Sequence, residues 1–212
     1  MHGGVHNGKA PTSFQAVVVA ASTGGMRALF ALLAPLPADF PVPILVVHHG
    51  GNAGLALLLA RRTELPVRLA TLGAPVSAHG VSVLPAAMSV TTVGAGQPPR
   101  FTPSDSALRP ADQALVAMAG HYGPLLIAVV LTGRLDDGAR GTRAVKRSGG
   151  RVLVQDPNTA QEPAMPTAAM ATGCLDFVMP LDRLGTALIA LAMAPGGADL
   201  FAVAAPAWAA YA

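Results

Sequence analysis

Short apolar runs recur along the chain, and each is followed by glycine, proline or polar residues. The runs at 17–21 and 125–131 contain no charged residue, which is typical of strands buried on both faces of a sheet. Runs of the same kind predict further strands at 42–47, 67–70, 81–84, 89–93, 151–155 and 177–179. The polar, turn-rich stretch after residue 93 predicts a long loop with room for one more strand.

Between these runs, apolar residues recur at three- and four-residue spacing. Met26, Phe30 and Leu33 share one face of a predicted helix at 25–33, which Pro35 and Pro37 end. Further helices are predicted at 55–62, 112–119, 138–147, 166–171 and 181–193. Strands that alternate with helices in this way predict an α/β fold: a doubly wound, mostly parallel sheet with helices on both faces, three-layered and Rossmann-like.

The same pattern predicts one domain over residues 14–193. Residues 1–13 lack the apolar core of a signal peptide and are predicted to form a flexible N-terminal tail. Residues 194–212 are apolar but interrupted by glycine and proline, which predicts a C-terminal tail that packs on the body or on a neighbour.

Composition narrows the classes of function. The chain has 212 residues, of which 52% are apolar and 12% charged, with a formal net charge of +3. This balance, without a run of Lys or Arg, argues against a nucleic-acid partner. No apolar run reaches the roughly 18 residues of a membrane-spanning helix, so membrane insertion is not expected. The single cysteine, Cys174, allows no internal disulfide and fits the cytoplasm.

Three predicted strands end in groups with reactive chemistry. Ser22-Thr23 follows the strand at 17–21, His48-His49 follows 42–47, and Asp136-Asp137 follows 125–131. Because ligands of open parallel sheets bind at the carboxyl ends of the strands, these groups are expected to lie at one edge. A serine, a histidine and a carboxylate are the components of a nucleophilic triad. Backbone N–H groups beside Gly24 and Gly25 would face the oxyanion that forms during the reaction.

Each group has an ordinary structural alternative. Ser22 is a possible helix N-cap, His49 a hydrogen-bonded loop histidine, and Asp137 an N-cap or turn residue. Gly24-Gly25 could cradle a phosphate, but neither the G-x-G-x-x-G fingerprint nor a P-loop lysine is present, which disfavours a nucleotide-binding domain. The six histidines show no two-ligand helical spacing, and no oxygen-rich loop surrounds Asp136-Asp137, so no metal or cofactor is expected.

The motifs "STGG", "VVHHG", "VVLTG…DDGARG" and "GGRVLVQDPNTA…AMP" resemble the catalytic domain of chemotaxis protein-glutamate methylesterases, the CheB type, from about residue 16 to residue 191. The resemblance implies that Ser22 is the nucleophile, His49 the base and Asp137 the acid. It implies hydrolysis of glutamate methyl esters on the cytoplasmic helices of chemoreceptors, and deamidation of receptor glutamines by the same chemistry. The expected oxyanion and substrate-binding positions are Thr23, Gly24, Gly25 and Arg134.

The chain departs from the family pattern at several positions. Ala20 stands where the family usually has glycine, and Arg134-Leu135 replaces the end of "TGMG". These departures leave open a non-catalytic binding or scaffold protein and a serine esterase with another acyl substrate. Family members typically carry an N-terminal receiver domain, which is not expected here, so a separate regulatory protein is a possible partner.

The predicted helix at 138–147 carries Arg140, Arg143 and Arg147 at i, i+3 and i+7. This spacing predicts a solvated basic face. The alternative is a surface that meets acidic receptor helices.

Overall fold

The structure, a computed structural model, describes residues 14–94, 96–104, 109–197, 203–204 and 206–208. Within these residues the chain forms nine strands and six α-helices. The strands are β1 (Ala16–Ala21), β2 (Ile44–His48), β3 (Val67–Leu69), β4 (Val81–Leu84), β5 (Met88–Thr91), β6 (Arg100–Pro103), β7 (Leu126–Val130), β8 (Arg151–Gln155) and β9 (Phe177–Met179). The helices are α1 (Gly25–Leu33), α2 (Ala53–Ala60), α3 (Pro110–Tyr122), α4 (Ala139–Arg147), α5 (Ala164–Ala171) and α6 (Leu181–Met193).

Seven of the strands form one sheet in the order β3-β4-β2-β1-β7-β8-β9. Every pairing in this sheet is parallel. The earlier strands β2, β4 and β3 lie on one side of β1, and the later strands β7, β8 and β9 lie on its other side. The predicted doubly wound, Rossmann-like α/β fold is therefore confirmed, and the direction of winding reverses beside β1.

The two faces of the sheet bury alternate residues of each strand. On one face, Val17 and Val19 pack with buried residues of α1, α2 and α6. On the other, Val18 and Ala20 pack with α3, α4 and α5. Because side chains of a strand alternate between faces, an uninterrupted apolar strand is stable only with helices on both sides.

The predicted long loop contains β6, which pairs with β5 in a separate antiparallel sheet. The strand expected at 89–93 begins one residue earlier, at Met88, and ends at Thr91. Val90 and Phe101 lie opposite each other in this pair and are both buried against the α3 side of the main sheet. The hairpin thus adds its buried residues to the core on this face of the main sheet.

Local capping explains where the helices differ from their predicted bounds. The helix expected at 55–62 begins at Ala53, because the Asn52 side chain accepts a hydrogen bond from the N–H of Leu55. The helix expected at 112–119 runs from Pro110 to Tyr122, with proline at its first position, where the missing N–H costs no hydrogen bond.

No described helix has both the length and the apolar character needed to cross a bilayer.

The predicted basic face of α4 is only partly correct. Arg140 and Arg147 are exposed, but Arg143 is half-buried, with its guanidinium 5.6 Å from the ring centroid of Trp208. Helical spacing places Arg143 with the other two arginines, whereas the aromatic ring from the C-terminal segment covers it. Val203 belongs to the same segment, and its N–H and C=O bond to the buried ion pair of Lys146 and Asp176.

Candidate active site

The carboxyl end of β1 turns sharply into α1 at Ser22. Gly24 is the N-cap of α1 with φ 77°, in the left-handed region, and no side chain caps the helix. Ser22 is 8% exposed, and its hydroxyl points away from the helix towards His49. The alternative that Ser22 is an N-cap is therefore wrong.

Ser22, His49 and Asp137 come together at this edge of the sheet. Ser22 Oγ lies 2.7 Å from His49 Nδ1, and His49 Nε2 lies 2.9 Å from Asp137 Oδ2. Both distances are within hydrogen-bond reach, which is what proton transfer between the three groups requires. Residues separated by 27 and 88 positions in the sequence thus form one continuous hydrogen-bonded chain.

The two ring nitrogens of His49 have different tasks. An ionised carboxylate only accepts hydrogen bonds, so the nitrogen facing Asp137, Nε2, carries the proton. Nδ1 is then unprotonated and accepts from the Ser22 hydroxyl. In the familiar serine-protease arrangement Nε2 faces the serine and Nδ1 the carboxylate, so the nitrogens are exchanged here.

Asp137 is held by the N-terminus of α3. Its carboxylate accepts hydrogen bonds from the N–H groups of Ala111 and Asp112, at 3.0 and 2.9 Å. Burial alone would raise the pKa of Asp137, but the hydrogen bonds from His49, Asp112 and Ala111 outweigh burial and lower the pKa below its usual value. Asp137 does not cap its own helix α4, where Gly138 is the N-cap. It accepts at the start of α3 instead.

Asp112 accepts hydrogen bonds at the start of α4, just as Asp137 does at the start of α3. The sequence analysis did not identify this role of Asp112. Its Oδ1 accepts hydrogen bonds from Gly138 N–H at 3.0 Å and Gly141 N–H at 2.7 Å, at the start of α4. Asp137 therefore caps α3, the helix that carries Asp112, and Asp112 caps α4, the helix that follows Asp137. Only the meeting of two helix ends in space shows this pairing, because residues 112 and 137 lie far apart in the chain.

The backbone around Ser22 contains candidate oxyanion donors. Within the described ranges, the N–H groups of Thr23 and Arg134 have no protein acceptor. The N–H of Gly25 is already used, because it donates to the Ser22 carbonyl at 2.8 Å. Gly25 contributes space instead: a Cβ at this position would lie 2.8 Å from the Cβ of Ala21. Gly24 supplies the left-handed turn.

The Arg134 side chain points outward. It is 68% exposed and its Nη2 lies 3.1 Å from Glu162 Oε1. The preceding Gly133 packs directly against the site, since a Cβ there would lie 2.8 Å from the Ser22 Cβ and would collide with the sulfur of Met165. Sequence reasoning did not single out Gly133, although a glycine after a buried strand signals close backbone approach. Leu135, the residue after Arg134, is 77% exposed and has a positive φ of 63°.

A cleft of about 560 Å³ opens beside His49 and Asp137. Its walls include apolar side chains from the end of β4 and the residue after it, from the start of α3 and from the loop after β7: Leu84, Pro85, Pro110 and Leu135. The cleft reaches the hydrogen-bonded chain at His49 and Asp137, and Ser22 is not among its lining residues. Over the described part of the chain, no group of three or more His, Cys, Asp or Glu side chains is placed to hold a metal ion.

A serine, a histidine and an aspartate joined in this order at the carboxyl edge of a parallel sheet are typical of α/β serine hydrolases. The family model for the CheB methylesterase matches residues 17–188. The chain belongs to this family, as its motifs indicate.

Curated relatives are also named as methylesterases. The chain is 39% identical over 178 residues to protein-glutamate methylesterase/protein-glutamine glutaminase 2 of Anaeromyxobacter dehalogenans, covering 82% of this chain and 52% of that protein. It is 37% identical over 186 residues to the corresponding protein 4 of Myxococcus xanthus, covering 85% and 53%. The chain thus spans about half the length of these relatives.

The fold also matches a solved structure. The catalytic domain of the Thermotoga maritima CheB methylesterase superposes with a TM-score of 0.78 at 34% identity, over 84% of this chain and 99% of that one. The part of the relatives that this chain shares therefore corresponds to a catalytic domain.

Proposed function

We propose that this chain is a serine hydrolase that removes methyl groups from glutamate methyl esters of chemoreceptors in the cytoplasm. The observation that carries the proposal is the hydrogen-bonded chain from Ser22 through His49 to Asp137. The names of its relatives give the substrate class, protein glutamate and glutamine side chains.

In the first half of the reaction, Ser22 Oγ attacks the ester carbonyl carbon while His49 Nδ1 takes the hydroxyl proton. The carbonyl π electrons move onto oxygen, where the N–H groups of Thr23 and Arg134 are the candidate donors. Collapse of this intermediate breaks the bond to the methoxy group, which leaves as methanol with the proton from Nδ1. Asp137 keeps Nε2 protonated and stabilises the imidazolium throughout.

In the second half, water attacks the acyl group on Ser22, and His49 Nδ1 takes a proton from that water. The bond to Ser22 Oγ then breaks, and the proton returns to the serine. The product is a free glutamate side chain. A glutamine substrate would follow the same path with ammonia as the leaving group, which makes deamidation a second reaction of the same site.

The proposal can be tested with Ser22→Ala and a chemoreceptor fragment that carries radiolabelled methyl esters. We expect methanol release to fall by about 10⁴-fold or more, because the alanine variant has no nucleophile. Ser77→Ala, at an exposed position outside the site, is the matched control and should keep the wild-type rate.

Methanol release by Ser22→Ala at the wild-type rate would contradict the proposal. An organophosphonate probe separates the alternatives. Labelling of Ser22 without methanol release would identify an esterase with a different acyl substrate. A wild-type protein that neither labels nor releases methanol would identify a binding or scaffold protein.

A further inference from the structure

His48, the last residue of β2, contacts the same serine as His49 but from another side. His48 Nε2 lies 2.9 Å from the carbonyl oxygen of Ser22. The other ring nitrogen, Nδ1, accepts a hydrogen bond from the N–H of Gly50 at 3.0 Å. The sequence predicts that His48 and His49 point to opposite sides of an extended chain. In the structure both rings reach Ser22, one at its backbone and one at its hydroxyl.

The contacts of His48 define its tautomer. A backbone N–H can only donate, so Nδ1 is unprotonated, and the proton of the neutral ring is on Nε2. Nε2 therefore donates to the Ser22 carbonyl. Burial, the largest cause, lowers the pKa of His48 below its ordinary value, and the neighbouring His49 lowers it further, against the opposing effect of the bond to Ser22. The neutral donor form is thus the form at neutral pH.

Every backbone polar group of Ser22 is bonded. Its N–H donates to Thr132 O at 3.0 Å, and its carbonyl accepts from Gly25 N–H at 2.8 Å as well as from His48. The absence of a side chain at Gly25 makes room for the imidazole, since a Cβ there would lie 3.0 Å from His48 Cδ2.

The carbonyl of Ser22 and the N–H of Thr23 belong to the same peptide unit. A trans peptide is planar, and its C=O and N–H point in opposite directions. A donor that fixes the Ser22 carbonyl therefore also fixes the direction of the Thr23 N–H. Hydrogen bonding at the carbonyl polarises the peptide and strengthens its N–H as a donor.

We propose that His48 is a positioning residue of the esterase, which aims the Thr23 N–H at the oxyanion by holding the opposite end of the Ser22–Thr23 peptide. This role rests on the proposed function, since it assigns a task within the same acyl chemistry. The hydrogen bond is present before substrate binds, and its effect on the rate arises in the transition state, where charge develops on the substrate oxygen.

The test compares two variants of similar length. His48→Gln keeps an N–H donor within reach of the Ser22 carbonyl, whereas His48→Met has no donor. Hydrolysis of p-nitrophenyl acetate is the assay, because this activated ester reports the acyl chemistry without a receptor. We expect His48→Met to lose about tenfold in kcat with KM within about twofold of wild type, and His48→Gln to stay within about threefold in kcat.

Equal losses of kcat in the Gln and Met variants, or a change in KM alone, would overturn the proposal. Wild-type protein that hydrolyses this ester but not methylated receptor would reject the proposed substrate and leave the His48 comparison intact. An NMR measurement covers the case in which a variant does not fold. The imidazole nitrogens of wild-type His48 should show a protonated Nε2 and a bare Nδ1 at neutral pH, and the opposite tautomer or a charged ring would refute the role.

Discussion

The helices α1 and α3 both begin beside the candidate triad, but their N-termini are occupied differently. At α3, the N–H groups of Ala111 and Asp112 are bonded to the Asp137 carboxylate. At α1, the N-cap Gly24 offers no side chain, and the first turn contains no acidic residue. Both ends carry the partial positive charge of a helix N-terminus.

The difference corresponds to two kinds of negative charge. Asp137 is charged in the resting protein, so the start of α3 holds it permanently and keeps it ionised. In the proposed reaction, the charge near Ser22 exists only while the substrate oxygen is an oxyanion. A permanent carboxylate at the start of α1 would compete with that charge, which explains why glycines rather than acidic residues follow Ser22. The N-terminus of α3 thus stabilises a charge that is always present, whereas the N-terminus of α1 faces a charge that forms only during the reaction.

The largest expected effect comes from Asp137→Asn, which disrupts the occupied end. An amide at this position can donate to His49 Nε2 and so favours the tautomer with the proton on Nδ1. That tautomer cannot take the proton from Ser22. We expect kcat on methylated receptor to fall by about 10⁴-fold.

Asp136→Asn is the matched control, because Asp136 is 52% exposed and pairs with Arg109 at 3.0 Å. It should keep kcat within about threefold. If Asp137→Asn loses no more activity than Asp136→Asn, the carboxylate at α3 does not set the tautomer of His49.

The next expected effect is on stability, where Asp112 and Asp137 have opposite pH dependence. The pKa of Asp137 is lowered, so its contribution is present above the usual carboxyl pKa and is lost as pH falls through the lowered folded value. The pKa of Asp112 is raised, first by burial and also by the nearby Asp137. Its contribution is present at low pH and is lost as pH rises through the raised folded value.

Urea unfolding at pH 3, 5 and 7 can measure this difference. Asp137→Asn should reduce the free energy of unfolding more at pH 7 than at pH 3. Asp112→Asn should be less destabilising at pH 7 than at pH 3. Parallel pH profiles for the two variants would show that the carboxylates are not differently tuned by the two helix ends.

The strands and the three positions of the candidate triad were predictable because they depend on local pattern. A buried strand such as β1 is an apolar run, and reactive residues after such runs must meet at one edge of a parallel sheet. The identity of Ser22, His49 and Asp137 as a set follows from these strand ends together with the motifs.

Other parts of the site depend on contacts that no local pattern shows. Asp112 caps α4 only because two helix ends meet, and His48 reaches Ser22 only because β1 and β2 are neighbours in register, with Ala21 opposite His48. Arg143 leaves the predicted basic face because Trp208, 65 positions later, packs on it. Tertiary packing decides each of these, and sequence spacing does not.

The smallest expected effect comes from placing a carboxylate at the N-terminus of α1, where no acidic side chain is present. Met26 is the second residue of this helix and is 45% exposed, so Met26→Glu places a carboxylate there without disturbing the core. The charge should stabilise the helix by about 0.3–1 kcal/mol. It should also oppose the developing oxyanion and lower kcat by about fivefold, because the same field acts on both charges.

Met26→Gln is the control, since it has nearly the same size and no charge. The difference in kcat between the Glu and Gln variants should shrink in 0.5 M salt, because salt screens exposed charges over a few ångströms. A Glu variant that is more stable than the Gln variant but equally active would separate helix stabilisation from catalysis. In that case the field of α1 does not reach the reacting oxygen, and the N–H groups of Thr23 and Arg134 would have to stabilise it without help from the helix.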